Sequence, residues 1–422
     1  MSSVAPPMTR DEICAFLHFG YVPPRHWGRE YREMFREFTA GVVRAPIGLP
    51  LEGLVEEGVC RWREVFSDAS EKLNVVPLSG GMDSRAILGG LLRRVGPSRL
   101  LTVTFGQPGS LDYELGLRVA EAAGVESLGI DLSQVDLERE RLVKLATAVP
   151  PGWLFDTFYN RMMFDRVHRE GTWWSGYFGD TLAGSRLKTN QSATWVSAGD
   201  RHVSTFRRIR SMNVLPSGFD PRSVIPQEPL GEAHLLTYDE QLNFFARQPC
   251  AHTPVLLDPR ADMRTPFLDA RWRDFILGVP WALRVGEVLY KAIIRRAYPE
   301  LVRLPVAGMY GLPGEAARWR IHMARHAFRL GRLLRRSLPV LVSRYDSMAN
   351  YIDFDHAIRH REDVQALVHD ALRSLGRRGV IDWLYLFAIW KQHMRRLRNH
   401  GDALTVLAAL DLNLEAAERG RS

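Results

Sequence analysis

Two rhythms of apolar and polar positions follow one another along this chain. Residues 51–72 carry Leu51, Leu54, Val55, Val59, Trp62, Val65 and Phe66 mostly three or four apart, which lays one apolar stripe along a helix. Residues 9–18 predict another helix, with Thr9 as N-cap and Glu12, three residues on, as its capping-box partner. "GYVPP" then breaks it. From residue 74 the rhythm changes. "NVVPLS" is a short, unbroken apolar run that ends on two glycines, as a strand buried on both faces would. "DSRAILGGLLRRV" returns to helical spacing, and "RLLTVTFG" is again a strand. "LDYELGLRVAEAAG" is a helix stopped by Gly124, and "VESLGIDLS" is a third strand.

This β-α-β-α-β order predicts an α/β fold built on a doubly wound parallel sheet. "GTWWSGYFGDTLAGS" looks like a further strand end and its loop. Past about residue 280 strands are no longer expected; the pattern is helical with arginine-rich faces, and "WLYLFAIW" (383–390) reads as a buried helix. The expected organisation is N-terminal helices over 1–70, an α/β core over 71–310 and a helical region over 311–422. Repeats and low-complexity stretches are missing.

Composition narrows the class. Apolar content of 46% and charged content of 25% are ordinary for a soluble globular chain. Cys14, Cys60 and Cys250 stand far apart, which argues against a disulfide scaffold or a zinc module. The N-terminus lacks the basic and apolar regions of a signal peptide, and no apolar run approaches a membrane span, so a cytoplasmic protein is expected. The net charge of +8 and pI of about 9.6 raise nucleic acid and anionic membranes as partners. Yet the basic residues are nearly all arginine; Lys72, Lys144, Lys188, Lys291 and Lys391 are the only lysines.

The chemistry concentrates in Ser79–Ser84, "SGGMDS". Glycines let backbone N–H groups approach an anion, the following helix adds the positive end of its dipole, and Ser79 and Ser84 add hydroxyl donors. Asp83 has the wrong sign to touch phosphate, so its natural task is to hold a cation that does. The pattern lacks GxxxxGK[ST] and is no Walker loop. A tight strand–helix turn with no ligand is the plain alternative.

"SGGMDS" resembles the SGGxDS pyrophosphate loop of the ATP pyrophosphatases, and the wider chain resembles the synthetase domain of asparagine and β-lactam synthetases. "VTFGQPGSLDYELGLRVAEAAG" is similar to their second strand, loop and helix, and "SGYFGDTLAG" (175–184) to their SGEGxDExxGG segment. "RTPFLDARWRDFIL" and "LYKAIIRRAYPELVRLP" resemble later helical stretches, and "RDEICAFLHFGYVPP" the linker after the glutaminase domain. The likeness spans residues 10–310. It implies ATP and Mg²⁺: Ser79, Gly80, Gly81 and Ser84 on the β,γ-phosphates, Asp83 and Asp180 on the metal, and Leu78, Phe105, Ser175 and Gly176 along the nucleotide. The reaction implied is adenylation of a carboxylate, opened by an amine or ammonia to give an amide, AMP and pyrophosphate.

The departures from that pattern carry information. Tyr177 stands where asparagine synthetases place Glu; in β-lactam synthetase a Tyr there helps an acid deprotonate an amine. Tyr177 is therefore a candidate catalytic residue, with Glu228 or Glu232 as candidate partners and an aromatic packed under the loop as the alternative. Thr181 and Ala183 replace family residues. The late pyrophosphate lysine should fall within 304–309, where this chain reads "LPVAGM"; Lys291 and Arg303 are the nearest substitutes. A glutaminase nucleophile is not expected, so the nitrogen would come from an amine, free ammonia or a partner.

The implied partners are a small-molecule or peptide carboxylate and an amine or ammonia donor, with a separate ammonia source or a carrier protein as candidates. No stable nucleic-acid or membrane partner is expected. The alternatives are a tRNA-modifying enzyme of the same loop class, which the scattered cysteines do not favour, and a degenerate synthetase acting as a binding subunit. "HMARH" and "HAIRH" pair histidines at i, i+4 without the HExxH acid and read as solvated faces. The basic segment 318–344 reads as a helix with its apolar side in the core, against the alternative of a membrane or RNA contact.

Overall fold

Five short strands, all parallel, form the centre of the molecule. They are β1 (Asn74–Pro77), β2 (Leu100–Gly106), β3 (Glu126–Asp131), β4 (Thr172–Trp174) and β5 (Asp262–Arg264), in the order β3-β2-β1-β4-β5. Asn74 of β1 lies opposite Leu100 on one side and Thr172 on the other. The computed structural model describes residues 8–44, 50–337 and 346–420, and leaves the side chains of 332 and 334–337 undescribed.

Alternate residues of each strand face opposite layers. Val75, Leu101 and Trp173 join one apolar core, while Val76, Leu100 and Trp174 join the other. The first core takes in helices from both ends of the chain: Arg10–Phe19, Arg139–Ala148, Leu154–Arg166, Glu362–Arg378 and Gly401–Arg419. The second is covered by Leu51–Glu64, Met82–Val95, Leu111–Ala122, Ala270–Gly278 and Val288–Ala297. The predicted α/β class with helices on both faces of a parallel sheet is what the chain adopts.

Several local expectations hold in detail. Thr9 and Glu12 form the reciprocal capping box, and Gly124 ends its helix at φ 64°. Others need correction. The helix from Leu51 stops at Glu64; Val65 and Phe66 reach the core from a tightening turn, ahead of the poor helix formers Ser67, Asp68 and Ser70. Strand β5 was not anticipated, because "DMR" is a polar three-residue edge strand with no apolar run. Strands also occur beyond 280: Pro305–Val306 pairs with Leu312–Pro313. In "WLYLFAIW", Leu386 and Ile389 are buried, but Tyr385 is 87% exposed and Phe387 39%, so that stripe is only half covered.

The largest correction concerns the basic segment. Arg318–Ser337 is a helix, but its apolar side is not in the core: Trp319, Met323, Leu330 and Leu333 are all exposed. Residues 338–344 of that segment lie outside the described residues, as do residues 1–7. Among the described residues no helix is long and apolar enough to cross a membrane.

Candidate functional site

Strands β1 and β4 are neighbours, but the chain leaves them in opposite directions, toward β2 and toward β5. At such a switch point the loops at the carboxyl ends part and leave a crevice. The loop after β1 is 78–81, leading into the helix Met82–Val95; the loop after β4 is 175–178, leading into Gly179–Ala183. Topology thus brings together the two segments singled out in the sequence.

A web of short bonds shapes the first loop. Ser84 Oγ accepts from the Ser79 N–H at 3.2 Å, and Ser79 Oγ accepts from the Gly81 N–H at 3.1 Å. Gly80 is pressed from outside. A Cβ on it would lie 2.8 Å from the Ala307 Cβ, and its carbonyl accepts the Ala307 N–H at 2.9 Å. Ala307 belongs to 304–309, so the stretch expected to carry a lysine does lie against the loop, but without charge. Arg85 supplies the nearest guanidinium. Fully buried, it donates to the carbonyls of Gly80 (3.2 Å), Leu301 (3.1 Å), Leu304 (3.1 Å) and Pro305, riveting loop to hairpin.

Asp83 joins the two loops. Its Oδ2 accepts the Asp180 N–H at 2.8 Å and its Oδ1 accepts from Tyr290 Oη at 2.8 Å. Gly179 permits this approach, since a Cβ there would sit 2.4 Å from Asp83 Oδ2. Burial, reinforced by the neighbouring carboxylates of Asp180 and Glu287, pushes the Asp83 carboxyl up to about 8. The Asp180 carboxylate is exposed and accepts from Thr181 Oγ1 at 3.2 Å and Ser185 Oγ at 3.0 Å. Glu287, held at φ 64° where its helix begins, pairs with Lys291 at 2.9 Å. Lys291 also donates to the Gly286 carbonyl at 3.2 Å. The Asp83 carboxyl thus feels two further carboxylates, Asp180 and Glu287, and oxygen ligands of that kind suit a hard divalent cation. Among the described residues no group of three or more potential ligands is already drawn together around a metal position. Asp83 and Asp180 would hold such an ion together with phosphate oxygens.

Of the residues expected along a nucleotide, Leu78 is buried and its carbonyl accepts from Thr104 Oγ1 at 2.9 Å. Phe105 stacks on Tyr351 with centroids 5.8 Å apart. Tyr351 comes from 346–353, a strap fastened by Gln107 N–H to the Tyr351 carbonyl and by Leu111 N–H to the Ser347 carbonyl, both at 2.8 Å. Ser175 Oγ accepts the Tyr177 N–H at 3.2 Å, and Gly176 accepts from the Gly179 N–H at 3.0 Å.

Tyr177 is buried, and its hydroxyl meets Thr253 Oγ1 at 2.6 Å. Burial pushes the phenol up to about 12, away from the range of a base. Glu228 and Glu232 are not beside it in hydrogen-bond terms: they lie on the surface, paired with Arg32 and His234. The arrangement observed is the packed aromatic.

Beyond Asp180 the charge changes sign. A π-helical run, Leu242–His252, carries Gln248, which donates to Thr181 Oγ1 at 2.9 Å, and Arg247, only 8% exposed. Such stretches are rare and recur at functional sites. Arg247 bonds only Asn243 Oδ1, at 3.3 Å, and makes no ion pair among the described residues. Its guanidinium lies 4.3 Å over Phe206 and 5.7 Å from the Trp153 ring. Arg208 covers the same indole at 4.3 Å, and His252 meets it edge-on at 4.8 Å. Burial lowers the Arg247 guanidinium to about 10 and keeps His252 neutral, aided by the nearby arginines. Neither Arg247 nor Glu287 was singled out in the sequence; an arginine in mid-helix and a Glu after a glycine carry no local signal. The paired histidines lie elsewhere: His322 and His326 touch at 3.0 Å, and His356 stacks on His360 at 4.2 Å.

No family model matches the chain, and no curated protein matches it.

Proposed function

We propose that the protein is an ATP-dependent carbon–nitrogen ligase of the PP-loop ATP pyrophosphatase type, which adenylates a carboxylate and passes the acyl group to an amine or ammonia. The observation that carries this reading is the meeting of Asp83 and Asp180 at the switch point, beside a glycine–serine loop on a helix N-terminus. Ser79, Ser84 and the loop N–H groups exchange their internal bonds for oxygens of the departing pyrophosphate. Asp83 and Asp180 would hold Mg²⁺, which would supply charge neutralisation on the phosphates. Lys291 adds positive charge from the side of Glu287, and Arg85 keeps the loop in place from beneath. Phe105 and Tyr351 offer an aromatic wall to the adenine. Arg247, a buried cation that makes no ion pair among the described residues, orients the acid through a non-reacting anionic group.

The carboxylate attacks the α-phosphorus, the bond to pyrophosphate breaks, and the amine then displaces AMP from the acyl carbon and releases its proton to solvent. Tyr177 acts in this scheme as a wall bonded to Thr253 and not as the base. ATP–pyrophosphate exchange over a panel of carboxylic acids tests the reading: exchange with at least one acid supports it, and clear ATP binding with no exchange sinks it. In that second outcome the chain is a degenerate synthetase used as a binding subunit, a reading favoured by the missing lysine at 304–309. Among the described residues the cysteines are well separated in environment, buried, exposed and half-buried, which gives tRNA thiolation no paired thiols.

A further inference from the structure

The helix Arg318–Ser337 differs from every other long helix of the fold in what it leaves uncovered. Trp319 is 64% exposed, Met323 63%, and Leu330 and Leu333 58% each. At the ~100° per residue of an α-helix these four fall within an arc of about 80°. The half-buried positions Ile321, Ala324, Phe328 and Gly331 occupy the opposite side, where Phe328 packs on Tyr310 at 5.2 Å. One side of the helix therefore rests on the body, and the other presents to solvent an apolar stripe interrupted by the exposed His326.

Charge completes the pattern. The helix contains seven arginines, two histidines and no acidic residue. Arg318, Arg325 and Arg329 line one flank of the stripe and Arg320 the other, all exposed and none in an ion pair among the described residues. An unpaired row of cations calls for an anionic partner, and an apolar stripe beside it calls for a partner with an apolar interior close behind its charge. Nucleic acid satisfies the first demand and leaves Met323, Leu330 and Leu333 wet. A protein that wraps a basic helix on all sides is blocked by the body on the Phe328 side. A bilayer with anionic headgroups satisfies both demands from one direction, with leucine and tryptophan in the headgroup boundary and arginines at the phosphates.

We propose that Arg318–Ser337 is a peripheral membrane-docking helix that lies along an anionic lipid surface with Trp319, Met323, Leu330 and Leu333 inserted. The inference is independent of the adenylation chemistry.

The test is co-sedimentation of the full chain with vesicles of phosphatidylcholine alone and of phosphatidylcholine mixed with phosphatidylglycerol. Anionic vesicles should bind at least about tenfold more tightly than neutral ones, with binding weakening from ~0.1 to ~0.5 M salt. The double variant Met323→Glu, Leu330→Glu should lose binding by about tenfold or more, because charges replace inserted side chains. Both positions are solvent-exposed, and an unchanged circular dichroism spectrum and thermal midpoint would confirm that the variant is folded. Arg325→Gln with Arg329→Gln should weaken binding and flatten its salt dependence. Equal binding of the glutamate variant would overturn insertion in favour of charge contact alone. No binding of the wild-type chain to anionic vesicles would overturn the proposal outright. So would a glutamate variant that changes oligomeric state in size exclusion without vesicles, which would make this face a contact between copies, or wild-type affinity for an RNA oligonucleotide exceeding that for the vesicles.

Discussion

The two sides of the Asp180 loop are built from opposite charges, and neither side balances its own. Toward β1, Glu287 takes Lys291, Asp83 and Asp180 make no ion pair among the described residues, and Asp83 is driven toward its neutral form. Toward the π-helical run, Arg247 and Arg208 share the face of Trp153 with a neutral histidine, and among the described residues only Arg208 pairs with an acid, Asp156 at 3.2 Å. A folded chain avoids uncompensated buried charge unless something else supplies the counter-ion. On the function proposed above, the difference between the halves would correspond to two ligands, a cation with its phosphates on one side and an organic anion on the other.

Substitutions that treat the halves separately test this contrast. Asp83→Asn should abolish ATP–pyrophosphate exchange, by about a thousandfold or more if the aspartate holds the metal on the leaving group. The same variant should raise the thermal midpoint of the metal-free protein at neutral pH. The Asp83 carboxyl titrates far above its unfolded range, so ionising it opposes folding as pH rises from the unfolded value toward about 8. A drop in exchange with no gain in apo stability would break the acidic half of the argument.

Arg247→Gln should raise the KM for the acid by about a hundredfold, the scale of a lost charge-assisted contact, while leaving nucleotide affinity unchanged. Equal effects on acid and ATP would merge the two halves into one. Arg85→Met is predicted to cost about 3 kcal/mol in denaturant unfolding, because several buried carbonyls lose their donor. Tyr177→Phe should be the mildest, costing about 1 kcal/mol of stability and less than about tenfold in exchange rate, since it removes one hydrogen bond to Thr253. A much larger loss of rate would restore the tyrosine as a base.

Acid should weaken the fold through two other residues. Burial lowers His202 and His393 to about 3, so both stay neutral in the fold while the unfolded chain takes up protons below about 6.5. Stability is then lost as pH falls from about 6.5 toward 3, by roughly 1–2 kcal/mol per histidine at pH 5. His202→Phe should flatten that dependence in urea titrations.

What could be read beforehand was whatever the chain states locally. Three strands, their crossover helices, the Thr9 cap and the glycine–serine loop each carry their signal within about twenty residues. The rest depends on distant pairings. Strand β5 exists because β4 offers it an edge, and Arg85 looks like any helical arginine until the segment 216 to 220 residues later closes on it. Arg247 acquires meaning only beside Trp153 and Phe206. The exposed stripe of Arg318–Ser337 misled for the converse reason: periodicity identifies an apolar face but not what covers it.

The Arg85 rivet also has a bearing on how the protein is made. A nascent chain that has emerged through residue 95 holds every residue of the glycine–serine loop, yet the carbonyls of Leu301, Leu304 and Pro305 that fasten it have not been synthesised. Contacts of such high sequence separation form late. The loop would acquire its final shape only after the second half of the chain has docked, so truncated products would carry the motif without its folded form.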